Sequence, residues 1–154
     1  MAKVKPIPDD YPRATPYLHV DGASAAIDFY REVFDATERM RMLAPDDKIG
    51  HAEIQIGDSV IMLSDEYPEM DICGPETLGG TPVTIMVYVN DVDAVFDRAV
   101  SAGAKALRPV QDQFYGDRSG QFEDPFGHRW SVATRIEEVP PEEMDKRAAE
   151  AMGG

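Results

Sequence analysis

The chain has a single cysteine, Cys73, among its 154 residues. No intrachain disulfide can form, and a zinc site built on paired thiolates is excluded. Cys73 follows an acidic loop and has no histidine or cationic neighbour of the kind that lowers a thiol pKa, which argues against a nucleophilic thiol. Long apolar runs are also missing. None approaches the length that spans a bilayer, and the start, Met1-Ala2-Lys3-Val4-Lys5-Pro6, has no apolar h-region. A cytoplasmic protein without a membrane partner is expected. Basic residues are scarce: 15 Lys and Arg stand against 29 Asp and Glu, for a net charge of −14. Such a field repels phosphate backbones, so nucleic acid is not an expected partner, and its plainest role is solubility. Ser-His-Asp arrangements, Walker loops and dinucleotide fingerprints are absent. Gly79-Gly80 and Gly153-Gly154 lack the strand-to-helix context those motifs need.

What is present suits one compact domain. The length supports a full core, and 43% hydrophobic with 29% charged residues is ordinary for a globular chain. Residues 1–13, with Pro6, Pro8 and Pro12, predict an extended arm. A strand follows over residues 14–20, with Pro16 marking a strand start or edge. Ser24 or Asp21 is the expected N-cap of a helix carrying Ala26, Ile27, Phe29, Tyr30, Val33 and Phe34 at helical spacing. Strands are predicted over residues 37–43, 49–56 and 59–64, giving the order βαβββ.

The same order then returns. A loop rich in Pro, Gly, Asp and Glu separates a first module, residues 14–66, from a second, residues 83–138, with 67–82 as linker. Asp91 or Asn90 caps the second helix, which carries Val92, Val95, Phe96, Ala99 and Val100, and Gly103 ends it. An offset of 69 places Val20 on Val89, Thr15 on Thr84, Asp28 on Asp97 and Met62 on Ser131. Register kept across helix and strands marks an internal repeat. Residues 139–154 predict a C-terminal helix and tail after Pro140-Pro141.

The repeat alone permits a ferredoxin-like duplication. The motifs Thr15-Pro16-Tyr17-Leu18, Ala26-Ile27-Asp28-Phe29-Tyr30, His51-Ala52-Glu53, Phe114-Tyr115-Gly116-Asp117-Arg118 and Asp124-Pro125-Phe126-Gly127-His128-Arg129-Trp130 decide the matter. By these residues the chain resembles the vicinal oxygen chelate superfamily of glyoxalases, bleomycin-resistance proteins and dioxygenases, and within it the PhnB-like branch. The resemblance implies an α+β fold of two tandem βαβββ modules whose sheets curl around a cup. It also implies metal ligands from the first and fourth strand of each module. Those positions hold Thr15, Met62, Thr84 and Ser131. Hydroxyls and a thioether are poor ligands for zinc, nickel or ferrous iron, so no metal cofactor is expected at the family's usual site.

Other polar groups take the place of that set. Along residues 49–56, His51, Glu53 and Gln55 share one strand face, opposite Ala52, Ile54 and Ile56. His51 and Glu53 suit a base and its orienting carboxylate, or two ligands of a divalent metal at a non-standard site; a solvated or cross-strand-paired face is the plainer alternative. The offset of 69 puts Arg118 on the cup face with Gly120 and Phe122, where a guanidinium suits a carboxylate or phosphonate. A salt bridge to Asp117, Glu123 or Asp112 is its alternative. Tyr115, between Phe114 and Gly116, belongs to a loop of the sort that closes over a ligand, with Gly116 and Gly120 permitting motion. By strand parity Tyr17, His19, Met86 and Tyr88 face the cup too. Met40, Met42, Met62, Met70 and Met86 form a soft wall or ordinary core filler. Asp65 and Glu66 cap the cavity mouth or add linker charge, whereas His128 and Trp130 are read as core residues.

Two functions follow. The first is a metal-free module that binds or sequesters a small organic ligand with Thr15, Tyr17, Met62, Thr84, Tyr88, Tyr115, Arg118 and Ser131. The second is an enzyme of lyase, dioxygenase or transferase type using His51, Glu53 and Arg118. PhnB-like proteins are sometimes labelled methyltransferases by similarity, but no residue here is placed to hold a methyl donor. A homodimer is expected, with the arm and the tail clasping the partner subunit.

Overall fold

The computed structural model describes residues 3–153, so Met1 and Ala2 of the expected arm and Gly154 of the expected tail lie outside the described residues. Contacts divide the chain into two units, Met1–Gly79 and Gly80–Gly154. The first contains β1 (Tyr17–Val20), α1 (Ala23–Phe34), β2 (Thr37–Leu43), β3 (Ile49–Ile56) and β4 (Ser59–Asp65), followed by a 3₁₀ turn (Pro68–Met70) and the short α2 (Pro75–Leu78). Its sheet runs β1-β4-β3-β2, with β1 parallel to β4 and the other pairs antiparallel. The second contains β5 (Thr84–Tyr88), α3 (Val92–Ser101), β6 (Lys105–Asp112), β7 (Asp117–Glu123), β8 (Arg129–Arg135) and α4 (Pro141–Gly153). Its sheet runs β5-β8-β7-β6 with the same strand senses. The expected α+β architecture of two βαβββ modules is therefore observed. Among the described residues no helix is long and apolar enough to cross a membrane.

In the first unit Leu18, Val20, Ala52, Ile54, Ile61 and Leu63 alternate onto one sheet face and are buried with Ile27, Tyr30 and Val33 of α1. Each side chain of that size contributes about 1.5–3 kcal/mol on burial, so this face holds the helix. The N-cap of α1 is not the expected Ser24 or Asp21. Gly22 occupies it in the left-handed region, without a side-chain cap of its own. Asp65, at the end of β4, does the capping. One carboxylate oxygen accepts from the N–H groups of Gly22 and Ala23 at 3.0 and 2.8 Å, and the other accepts from Ile49 N–H at 2.7 Å. Asp65 is thus a clamp joining three elements. Glu66 is equally local, accepting from Gly74 N–H and the Thr77 hydroxyl.

The second unit repeats the plan with different chemistry. Asp91 caps α3 as expected, accepting from Ala94 N–H, and Thr134 Oγ1 accepts from Val92 N–H at 3.0 Å. Ala23 and Val92 are 69 apart, as are Asp65 and Thr134, so the same repeat position caps both helices. The Asp124-Pro125-Phe126-Gly127 turn is built on a buried carboxylate. Asp124 accepts from the N–H groups of Phe126 and His128, and from Trp130 Nε1 at 2.9 Å. Gly127, at φ 93°, returns its N–H to the Asp124 carbonyl. Trp130 is completely buried, in keeping with the core role read from the sequence.

The repeat keeps the offset of 69 at both ends of each module and runs one residue short across β6 and β7. Tyr17 lies beside Met62 in β1 and β4, and Met86 beside Ser131 in β5 and β8, which preserves the offset of 69. Yet Met62 is opposite Glu53, while Ser131 is opposite Gln121, an offset of 68. Gly57 and Asp58 alone join β3 to β4, whereas five residues join β7 to β8, and the longer turn accommodates the slip. A one-residue shift exchanges the faces of a strand. Ser119 and Gln121, not Gly120 and Phe122, therefore correspond to His51 and Glu53.

Candidate functional site

On β1, β3 and β4, the positions between the buried apolar ones place Tyr17, His19, His51, Glu53, Gln55, Met62 and Ser64 on the sheet face away from α1. Five of these residues, with one from the arm, form a continuous line. Glu53, only 4% exposed, receives the Tyr11 hydroxyl on Oε1 and His51 Nε2 on Oε2, each at 2.8 Å. His51 Nδ1 lies 2.8 Å from the Tyr17 hydroxyl. Tyr17 stands between two imidazoles, with ring centroids 5.1 Å from His19 and 5.4 Å from His51. His19 Nδ1 meets Ser64 Oγ at 3.0 Å, and Ser64 donates onward to the Asp65 carbonyl. Arg39 adds a charge beside the carboxylate, with Nη1 4.0 Å from Glu53 Oε1 and its guanidinium over the Tyr11 ring.

Electrostatics give the line a direction. Burial on its own raises the Glu53 carboxyl, but the hydrogen bonds of His51 and Tyr11 and the charges of His51 and Arg39 outweigh it and hold the group below the usual carboxylate range. Glu53 is therefore ionised at neutral pH and can only accept, so the Nε2 proton belongs to His51. In the neutral ring His51 Nδ1 then accepts the Tyr17 O–H. Burial pushes the Tyr17 phenol up, the Glu53 charge adds to this and a Ser64 hydrogen bond opposes it, so Tyr17 stays a neutral phenol. Its ring is 41% exposed and forms the accessible end of the line. A buried carboxylate that orients an imidazole, which in turn draws on an exposed hydroxyl, can bind a polar group or move a proton.

The other expected residues fall in different places. Thr15 is half-buried just before β1, and Met62 lies beside Tyr17 on the same face. In the second unit Thr84, Met86 and Tyr88 share one face of β5, with Ser131 beside Met86. The Tyr88 hydroxyl donates to the buried Asp117 at 2.8 Å, and Arg135 lies over its ring. Arg118 is on the opposite face from the one expected. Phe122 and Gly120 pack against Phe96 of α3, and Arg118 shares their parity. Its guanidinium grips Asp93 of α3 with two hydrogen bonds of 2.9 Å and Asp112 with a third of 3.0 Å. These carboxylates hold it firmly charged. The register slip is the reason, and the salt-bridge alternative holds for Asp112.

Tyr115 lies in the β6–β7 loop, edge-on to Phe114. The glycines beside it do not act as hinges. Gly116 accepts from the N–H groups of Ile136 and Glu137 on its carbonyl and leaves no room for a Cβ against the Glu137 backbone. Gly120 is similarly closed in by Val110 and Phe96. Close approach, not motion, explains both. The arm and the tail make contacts within their own units: Tyr11 on Glu53, and Arg147 of α4 on Glu137 and the Phe114 carbonyl. Tyr11 and Arg39 were not anticipated as members of the site. The one available signal was a tyrosine amid the charged, proline-rich arm, Asp10-Tyr11-Pro12.

The positions at which the resemblance implies metal ligands carry no carboxylate or imidazole. Met62 beside Tyr17, and Ser131 beside Met86, bring a thioether and a hydroxyl where carboxylates or imidazoles are required.

The fold agrees with three comparisons. Residues 14–132 match the model of the Glyoxalase/Bleomycin resistance protein/Dioxygenase superfamily, and the chain belongs to that superfamily. It is 47% identical over 138 residues to the uncharacterized protein Rv0887c of Mycobacterium tuberculosis, covering 86% of this chain and 80% of that one. Among solved structures it is similar to protein PA1353 from Pseudomonas aeruginosa, with 25% identity, a TM-score of 0.65, and 82% and 99% of the two chains covered. The fold is also similar to that of a PhnB protein from Bacillus cereus described as a putative 3-demethylubiquinone-9 3-methyltransferase, at 17% identity and a TM-score of 0.66 over 80% and 99% of the chains.

Proposed function

We propose that the first unit binds a small organic molecule without a metal, on the sheet face that carries Tyr17, His51, Glu53 and Met62. The observation behind this reading is the line from buried Glu53 through His51 to exposed Tyr17, beside the thioether of Met62. The buried end fixes each partner's geometry and the open end meets the ligand, while Met62 offers an adaptable apolar contact. Thr15 borders the same region. A metabolite screen by thermal shift tests the proposal, because a ligand of the folded state raises apparent stability by mass action. Hits that stabilise the wild type and not Tyr17→Phe or His51→Ala support it. Hits indifferent to both substitutions, or one equivalent of tightly bound transition metal, defeat it.

The same line supports an enzyme as second reading. A proton leaving a bound substrate O–H passes to Tyr17 oxygen while the Tyr17 proton moves to His51 Nδ1, leaving an imidazolium paired with ionised Glu53 and an anionic substrate. His51 is then the general base and Glu53 its orienting group. Turnover with a bell-shaped or sigmoidal pH profile abolished in His51→Ala separates this reading from binding alone. The lone Cys73 and the acidic surface suit a cytoplasmic protein. A homodimer belongs to the same proposal, and light scattering giving a monomer mass at micromolar concentration defeats it.

A further inference from the structure

The hydrogen-bond polarity of the Glu53–His51–Tyr17 line restricts the kind of ligand that the site accepts. Glu53 is buried and carries two donors, Tyr11 O–H on one oxygen and His51 Nε2–H on the other. With its Nε2 proton so committed, neutral His51 has only an acceptor left at Nδ1. Tyr17, 2.8 Å away, must therefore point its O–H inward, toward His51. Its own oxygen is then the open end of the line, and what that oxygen offers outward is lone pairs. A phenol oxygen has two, and the proton of the neighbouring Ser64 hydroxyl goes to the Asp65 carbonyl.

We infer that the first unit's sheet face selects ligands that present an O–H or N–H donor to the Tyr17 oxygen, namely alcohols, phenols, enols or amines, and discriminates against ligands whose only polar groups are acceptors. This rests on the small-molecule reading above. An acceptor-only ligand forces Tyr17 to turn its proton outward and leaves His51 Nδ1 facing a lone pair, which breaks the Tyr17–His51 hydrogen bond. Charge acts in the same direction. The ionised carboxylate at the buried end and the −14 net charge favour the positive end of a ligand dipole at the mouth of the line. Sites that hydrogen-bond one polar group reject analogues lacking it far more strongly than apolar pockets reject a missing methylene.

The test has two arms on the full chain. Long-range ¹⁵N–¹H correlation of the imidazole rings, at a pH well above the ordinary histidine range, reads the tautomer without any ligand; His51→Asn assigns the signal. Protonated Nε2 with bare Nδ1 is expected, and the opposite tautomer overturns the polarity outright. The second arm titrates phenol and anisole, rings of similar size with and without an O–H, and follows the His51 ring signal. Phenol is expected to move it saturably, anisole to leave it in place, and Tyr17→Phe to erase the difference. An equal response to both probes, or none to either, overturns the donor preference. The small-molecule reading fails separately, through the absence of any Tyr17-dependent hit in the metabolite screen.

Discussion

The two halves of this chain share a plan and differ in what they place on the sheet face away from the helix. Where the first unit has Glu53, His51 and Tyr17 hydrogen-bonded in a row, the corresponding positions of the second are Gln121, Ser119 and Met86. None of these three is ionisable. The second unit does carry a buried carboxylate, Asp117, but its side-chain hydrogen-bond partner is the Tyr88 hydroxyl and, among the described residues, not an imidazole. The helix face shows the reverse emphasis. The second unit invests its buried acid in structure, where Asp124 holds a turn and a tryptophan. The first places its most enclosed carboxylate, Glu53, beneath an accessible hydroxyl. Duplication supplied the scaffold twice, and the polar line occupies one copy. A buried carboxylate with a perturbed pKa and a directional partner is a feature that sites share with structural networks, and among the described residues the first unit combines the two in Glu53.

If this division is right, damage to the second unit should be structural and damage to the first unit's polar line should be functional. The largest stability loss is expected from Trp130→Ala, about 3–5 kcal/mol by chemical denaturation, because it empties a fully buried volume and strands one oxygen of Asp124. Ile61, its repeat mate in the first unit, should cost less on truncation to Ala, about 2–4 kcal/mol. Equal losses would show that the turn carboxylate adds nothing.

Glu53→Ala comes next, on the order of 3 kcal/mol, since it leaves His51, Tyr11 and Arg39 facing a buried vacancy. Ligand binding should disappear with it. Gln121→Ala, at the corresponding place, should stay within about 0.5 kcal/mol. The pH dependence sharpens this contrast. The folded Glu53 carboxyl lies below its unfolded value of about 4.3, so its contribution is complete above that pH and fades as pH falls through the lowered folded value. The gap in thermal midpoint between the wild type and Glu53→Gln should thus close as pH falls below about 4. A gap that persists or widens below about pH 4 would reverse the assignment.

Most of the fold was legible because its signals are local and repeated. Clean alternation over Ile49–Ile56, helical spacing from Ala26 to Phe34 and the Asp124-Pro125-Phe126-Gly127 turn each name an element, and the offset of 69 ties them together. His51 and Glu53 were legible as a pair because residues two apart on a strand share a face. Three features were not, and each has a long-range cause. Asp65 caps α1 across 42 residues of chain, so Ser24 and Asp21 looked like better caps than they are. Tyr11 reaches Glu53 across a similar separation, which no periodicity records. Arg118 was misplaced because a longer turn shifts β7 by one residue, and an alternating pattern carries its whole face with such a shift.

Substitution of the caps should separate the halves more finely. Asp65→Ala removes an acceptor from three N–H groups and should cost about 1–2 kcal/mol. Thr134→Ala removes an acceptor from one N–H, and Asp91 continues to cap α3, so about 0.5–1 kcal/mol is expected. Hydrogen exchange should show the first substitution loosening the start of α1, and the second barely changing α3.

The smallest effect should come from Arg118, and it is the most direct test of the face assignment. Its guanidinium is held by Asp93 and Asp112, both more than half exposed, and exposed ion pairs gain little because water and salt screen them. Arg118→Met keeps the apolar stem that lies toward α3 and deletes the charge, so the unfolding midpoint should scarcely move and should converge with the wild type at high salt. Any ligand that responds to Tyr17→Phe should bind Arg118→Met as it binds the wild type, because β7 turns residue 118 toward the helix while Ser119 and Gln121 take the other face. A fall in ligand affinity in Arg118→Met comparable to that in Tyr17→Phe would mean that this arginine leaves its carboxylates to meet the ligand.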